Sequence, residues 1–254
     1  SKPPAKEVRD EVVALLQKCT KPVVAIFLGE KPENHEGKVY LAHTLEETAR
    51  MAVDLANGDP VKDNYCDPID YEVSRPLAAD KTVKGLYSGG SLAAEAGMLI
   101  AEALNLGGLI KEEGYILKTG GYEVVDLGDD VYTQGKPHPM IDPEVRIKKI
   151  LECAKDPQTG VILLDCMLGY GCHPDMAGAL APAIREAQEI AKADGRELYF
   201  VASVCGTRQD PQDYDCAVAE LKECGVLVEE SNARAIRLAL KLKGIDYKEN
   251  TRGH

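Results

Sequence analysis

The chain has 254 residues, of which 44% are apolar and 28% charged, and a formal charge of −12. That length holds one large domain or two smaller ones around a substantial core. The acidic balance argues against a nucleic-acid partner, which needs a basic surface, and no apolar run of about 18 residues is present to span a membrane.

No basic-then-apolar segment marks a secretory signal. Eight cysteines, Cys19, Cys66, Cys153, Cys166, Cys172, Cys205, Cys216 and Cys224, never occur as Cys-x-x-Cys. Several sit in apolar runs, the pattern of reduced, buried thiols in a cytoplasmic protein rather than of disulfides. The first residues are Ser-Lys-Pro-Pro, without an initiator methionine, which suggests processing or a piece of a longer protein.

Residues 5–19 read as an amphipathic helix with Val8, Val12, Leu15 and Leu16 inward. Pro22–Leu28 reads as a buried strand, 29–37 as a polar loop and Lys38–Ala42 as a second strand. Thr44 with Glu47 three residues on forms a capping box that opens a helix to about Ala56. Two parallel strands cannot bury their own faces, so residues 1–58 read as a partial α/β lobe that packs on further chain, on a second copy or on a partner subunit. Residues 59–82, rich in Asp, Pro and Asn, read as a linker.

From residue 83 strands and helices alternate. Gly85–Tyr87 reads as a strand, Ser88-Gly89-Gly90 as a turn, and Leu92, Ala96, Leu99, Ile100 and Ala103 as the inner face of a helix. Tyr115–Leu117 and Glu123–Leu127 flank Thr119-Gly120-Gly121 as a hairpin. Gly128-Asp129-Asp130 and a long loop holding Gly135-Lys136-Pro137-His138-Pro139-Met140 follow, and Asp142 caps a helix with Pro143 at its first position.

Val161–Leu164 is a short apolar run, the mark of a strand buried on both faces; Asp165 closes it, Gly169 and Gly171 turn the chain, and Pro174 suits the start of the next helix. That helix is apolar through Met176, Leu180, Ile184 and Ala187. Leu198–Val204 is a further strand, Gly206-Thr207 a turn with Asp210 as the next cap, and Val226–Glu229 a last strand before a helix beginning at Ser231 or Asn232. The alternation predicts a doubly wound parallel sheet over 83–245, with 246–254 as a tail.

In such sheets ligands bind outside the carboxyl ends of the strands. Four turns converge on that rim: Ser88-Gly89-Gly90, Gly128-Asp129-Asp130, Gly169-Tyr170-Gly171 and Gly206-Thr207. A glycine turn before a helix leaves backbone N–H groups and a positive dipole end at one spot, which suits a phosphate or carboxylate; it is also what any βα turn provides. His138, between two prolines, is the candidate proton carrier. His173, beside a helix start, is either an anion partner or a loop residue, and His43 reads as structural. Asp129 and Asp130 lack the further spacing of a metal site, so no metal is expected. Cys172 and Cys205, beside helix starts, are weaker nucleophile candidates. No Walker or Gly-x-Gly-x-x-Gly fingerprint is present, so this chain is not expected to bind a nucleotide by itself.

Gly85-Leu86-Tyr87-Ser88-Gly89-Gly90, Val125-Asp126-Leu127-Gly128-Asp129-Asp130, Gly135 through Pro143 and Gly206-Thr207-Arg208-Gln209-Asp210-Pro211-Gln212 resemble the FdrA proteins, acyl-CoA synthetase relatives of succinyl-CoA synthetase. The resemblance runs from Ser1 to about residue 243 and implies that the chain is the carboxyl-terminal portion of such a protein. Residues 83–245 are similar to the flavodoxin-like ligase domain of the synthetase β subunit, and the carry-over puts Gly169, Tyr170, Gly171 and the helix start before Asp175 around a phosphate or acyl phosphate. CoA, phosphate and a small carboxylate are the ligands it implies.

One segment departs from that pattern. Where succinyl-CoA synthetase has Gly-His-Ala-Gly-Ala around its phosphorylated histidine, this chain has Gly-Glu-Lys-Pro-Glu-Asn-His-Glu-Gly, with His35. The alternatives that need no phosphohistidine are a component of an oxamate (oxalurate) carbamoyltransferase, a reaction linked to some FdrA proteins, and a non-catalytic scaffold subunit.

Overall fold

A computed structural model of the chain describes residues 5–32, 35–107, 110 and 112–248. Glu33 and Asn34 of the loop at 29–37, and the expected tail from 249 on, lie outside the described residues. The chain divides into two compact units, Ile69–Tyr247 and the remainder.

In the smaller unit, α1 (Lys6–Leu16), β1 (Val23–Ile26), β2 (Val39–Ala42) and α2 (Leu45–Asn57) follow one another, and β1 and β2 pair in parallel. Thr44 accepts the Glu47 N–H at 3.1 Å, and Glu47 reaches back to the His43 N–H at 2.7 Å, so the expected capping box forms one residue early on its return side.

Two expectations fail in this unit. α1 buries Val13, with Leu16 partly buried, while Val8, Val12 and Leu15 stay 51%, 36% and 61% exposed. A two-stranded sheet presents only a narrow apolar strip, Val39, Leu41, Ala25 and Phe27, and one edge of the helix covers it. β1 is only half-buried along its length, because β2 is its sole strand neighbour among the described residues.

The larger unit carries β3 (Thr82–Tyr87), α3 (Gly90–Ala103), β4 (Tyr115–Thr119), β5 (Tyr122–Asp126), α4 (Asp130–Thr133), α5 (Glu144–Lys155), β6 (Thr159–Met167), α6 (Met176–Ala193), β7 (Tyr199–Cys205), α7 (Tyr214–Glu223), β8 (Val226–Glu229) and α8 (Asn232–Leu242). The sheet order is β4-β5-β3-β6-β7-β8, parallel except for β4, which pairs antiparallel with β5. Without β4, this is the flavodoxin-like order, whose switch point lies between its first and third strands, here β3 and β6.

Gly120 and Gly121, at φ 56° and 84°, make the two-residue turn of the β4–β5 hairpin, where both positions need a left-handed backbone. Side chains alternate along β6. Val161 and Leu163 join the core under α3 and α8, while Ile162, Leu164 and Cys166 join the core under α5, α6 and α7. Between Ile69 and Leu77 the chain lays Ile69, Tyr71, Val73 and Leu77 on the α3/α8 core, and Lys241 donates to the Ile69 carbonyl at 2.8 Å.

Candidate functional site

β6 continues to Met167, so Asp165 lies within the strand, fully buried and opposite Ser203, instead of closing the run. By alternation its side chain leaves the sheet on the α3 side, at the switch point. There its two oxygens accept the Ser88 N–H at 2.9 and 3.1 Å, the Ser88 hydroxyl at 3.1 and 3.0 Å and the Gly89 N–H at 2.8 Å. A Cβ on Gly89 would stand 3.2 Å from this carboxylate, which explains a small residue at the turn.

Arg146, from the first turn of α5, is also fully buried. Its Nη2 meets Asp165 Oδ1 at 3.0 Å and the Asp165 carbonyl at 2.6 Å, while its Nε and Nη1 have no hydrogen-bond partner among the described residues. The anion at the start of α3 is thus an internal carboxylate, charge-balanced by an arginine. Arg146 and Asp165 were not recognisable as a pair from spacing, since they lie 19 residues apart, at the start of α5 and near the end of β6.

His138 is half-buried on the neighbouring loop. Its Nδ1 accepts the Met140 N–H at 3.2 Å, which leaves the proton of the neutral ring on Nε2. A Cβ built on Gly128 would fall 2.4 Å from that Nε2 and 2.9 Å from the Ser88 carbonyl oxygen. Gly128 therefore lets the imidazole approach the ends of β3 and β5.

Asp126 accepts the Gly128 N–H at 2.9 Å, and its other oxygen lies where a Gly90 Cβ would be, at 2.6 Å. Burial pushes the Asp126 carboxyl above the ordinary carboxylate range; Asp129 and Asp165 add to this, while the Gly128 N–H and His138 oppose it. Ser88, Gly89, Gly90, Gly128 and His138 are thus brought together. Asp129 caps α4, accepting the Val131 N–H at 3.2 Å.

The other half of the rim is built on Gly169, Tyr170, Gly171, Gly206 and Thr207. Gly169 takes φ 137°, a backbone that a side chain would strain. Its N–H donates to Gln212 Oε1 at 2.9 Å, and its carbonyl accepts Gln212 Nε2 at 2.9 Å. Tyr170 is 93% exposed, and around Gly171 there is open space. Gly206 packs against Leu168, whose Cβ would lie 2.6 Å from a Gly206 Cβ. The two halves are joined where the His173 N–H donates to the Met140 carbonyl at 2.7 Å.

Three caps differ from expectation. Asp175 rather than Pro174 begins α6, accepting the Gly178 N–H at 2.8 Å, and His173 Nδ1 accepts the Asp175 N–H at 3.0 Å. Asp213 rather than Asp210 caps α7, accepting the Cys216 N–H at 2.9 Å, while Asp210 closes its own turn on the Thr207 N–H and hydroxyl. Pro143 occupies the α5 cap position, with Asp142 supplying the hydrogen bond to the Glu144 N–H at 2.9 Å. At α7 Asp210, Asp213 and Asp215 crowd the helix start, and at α5 and α6 a proline stands next to the single aspartate; spacing alone does not fix the cap position.

Neither candidate thiol is activated. Burial raises both Cys172 and Cys205, and the nearby carboxylates Asp210 and Asp165 raise them further. Burial pushes Cys153 up to about 11 and Cys166 up to about 12. Sequence reasoning missed Gln212 as a structural clamp, although it ends the Gly206–Gln212 motif. An open groove of about 800 Å³ beside Gly206 and Thr207 is lined by Arg208, Tyr214, Lys222 and Glu230. Among the described residues no helix is long and apolar enough to cross a membrane.

Residues 86–242 match the CoA-ligase family. The uncharacterized protein YahF of Escherichia coli (strain K12) is 36% identical over 256 aligned positions that take in 94% of this chain and 48% of YahF. The chain therefore spans about half the length of that relative. A crystal structure of 2,3-dimethylmalate lyase, a PEP mutase/isocitrate lyase superfamily member, overlaps 64% of this chain and 63% of its own at 14% identity, and its TM-score of 0.25 is too low to bear on the fold.

Proposed function

We propose, from the premise that this chain belongs to the CoA-ligase family, that its larger unit is the ligase-type portion of an FdrA-type acyl-CoA synthetase. In this reading an acyl phosphate or carboxylate lies over the rim at Gly169–Gly171 and the start of α6, and His138 carries the proton. The observation that supports it most is the direct tie between the His138 loop and the Gly169–His173 loop, from the His173 N–H to the Met140 carbonyl. It ties the loop of the candidate acid–base group to a rim turn that has open space at Gly171. Backbone N–H groups there would stabilise developing negative charge.

The turn at Ser88–Gly89 takes a different role. Asp165 already holds its amides, so it frames the site instead of binding the ligand's anion. Asp210 does the same for Thr207.

A second reading is favoured by His35. Its Nδ1 accepts the Leu41 N–H at 3.1 Å and its ring lies against Tyr40, with centroids 4.9 Å apart. That is a packing role, unlike that of a phosphorylated histidine on an open loop. A component of an oxamate carbamoyltransferase would use the same anion site without phosphohistidine chemistry.

Thermal unfolding with phosphate, carbamoyl phosphate, oxamate, succinate and CoA separates the two. A ligand specific to the folded form stabilises it by about 2.7 kcal/mol at one hundred times its dissociation constant. Stabilisation by CoA supports the synthetase; stabilisation by carbamoyl phosphate and oxamate without CoA supports the transferase. A silent panel overturns both readings for this chain. With the responding substrate, His138→Ala should abolish turnover while leaving the fold intact, and wild-type rates would remove His138 from the mechanism.

A further inference from the structure

We propose that Gln212 is a positioning residue for His138, acting through a relay of hydrogen bonds across the rim. The inference rests on the reading of His138 as the proton carrier, and it deepens that reading by naming what orients the ring.

Gln212 lies in the connection from β7 to α7, in the motif that begins at Gly206. Its carboxamide mimics a peptide group. Oε1 accepts the Gly169 N–H at 2.9 Å, and Nε2 donates to the Gly169 carbonyl at 2.9 Å and to the His173 carbonyl at 3.1 Å. Both Nε2 hydrogens are therefore in use. The clamp holds Gly169 in a backbone conformation that would otherwise be one of several, at φ 137°, and fixes the far end of the loop at His173.

From His173 the relay continues. Its N–H donates to the Met140 carbonyl at 2.7 Å, and the Met140 N–H donates to His138 Nδ1 at 3.2 Å. Gln212 thus reaches His138 through two intervening residues, His173 and Met140. The last bond keeps Nδ1 an acceptor and the proton on Nε2, the nitrogen that faces Gly128 and the ends of β3 and β5. Three loops that are far apart in sequence, 137–142, 168–175 and 206–213, are tied in one line by these bonds.

Gln212→Glu keeps the size of the side chain and inverts its chemistry. A carboxylate oxygen would then face the Gly169 and His173 carbonyls in place of an NH₂ group that donates to both. Gln212→Ala removes the clamp without adding charge and serves as the second variant.

The test is nitrogen-15 NMR of the imidazoles in the full chain at about pH 8.5, where histidine rings are neutral. Wild-type His138 should show the Nε2–H pattern. Both variants should shift its tautomer ratio toward Nδ1–H by about fivefold, the ratio that one ordinary hydrogen bond commands. His35 and His43, in the other unit, should keep their wild-type signals.

A residue that only stabilised its own loop would lower the urea midpoint and leave the His138 pattern where it was. That result, or an unchanged pattern at an unchanged midpoint, overturns the proposal. No substrate is needed for this measurement. Failure of the relay is therefore distinct from failure of the catalytic reading, which turnover of His138→Ala decides.

Discussion

Asp165→Asn tests the centre of the site. The carboxylate it replaces is completely buried and takes hydrogen bonds from the Ser88 N–H and hydroxyl, the Gly89 N–H and Arg146 Nη2. An amide keeps one acceptor oxygen but presents an NH₂ to donors on one side. It also leaves the Arg146 guanidinium buried with no countercharge in direct contact, since among the described residues its one salt bridge is to Asp165. Breaking a buried pair by removing one partner costs about 3–5 kcal/mol. For a unit of this size that corresponds to a drop in melting temperature of roughly 6–20 °C.

The chain has no tryptophan, so urea unfolding is best followed by far-ultraviolet circular dichroism, with Arg146→Met and the double variant alongside. If the two side chains act as a pair, the double variant should be less destabilised than the sum of the singles by at least about 1 kcal/mol. A loss below about 1 kcal/mol for Asp165→Asn, or strict additivity, would refute the view that a charged pair plugs the switch point.

Gly128→Ala should drive the His138 ring out of its position, because the new Cβ would stand 2.4 Å from Nε2 and 2.9 Å from the Ser88 carbonyl oxygen. Overpacking of this kind costs about 1–3 kcal/mol, and a variant with wild-type urea midpoint and unmoved His138 signals would show that the approach is not constraining. Asp126→Asn bears on pH. Because burial raises the Asp126 carboxyl above its ordinary 3.8, the folded state binds its proton more readily than the unfolded state, so the ionised group weakens the fold at neutral pH and this penalty disappears as pH falls through the raised value. The asparagine variant should therefore be the more stable at pH about 7.5, with the advantage closing toward pH about 4. A variant less stable than wild type at the higher pH would mean that the charged bond to the Gly128 N–H outweighs burial.

The sheet was legible because its signal is local. Short apolar runs such as Val161–Leu164 occur only where both faces are covered, and glycine turns at fixed offsets mark the strand ends. The two-glycine hairpin turn and the Thr44–Glu47 box were readable for the same reason. What escaped depends on contacts across the sequence. α1 presents two apolar stripes, and only the strip offered by β1 and β2 decides that Val13 goes inward and Leu15 outward. Asp165 looked like the end of a strand because one carboxylate after an apolar run reads as exposed, and only Arg146 and the Ser88–Gly89 amides make its burial tolerable. Gln212 was visible as part of a motif, but nothing in the motif tells which backbone it clamps.

The placement of the aspartates also constrains where chemistry can occur. Asp165 fills the crevice at the switch point, Asp126 sits over Gly128 and beside Gly90, and Asp210 closes the turn at Thr207. These carboxylates satisfy amides that a ligand would otherwise recruit, and they tie those turns down. In the proposed reading an anion would therefore lie away from the crevice and on the loops above it, where Gly171 has open space around it and Tyr170 is exposed. That loop is shaped by Gln212 on one side and joined to His138 on the other. The buried pair of Arg146 and Asp165 is thus a foundation for the rim, and the proposed reacting groups would belong to the second layer built on it.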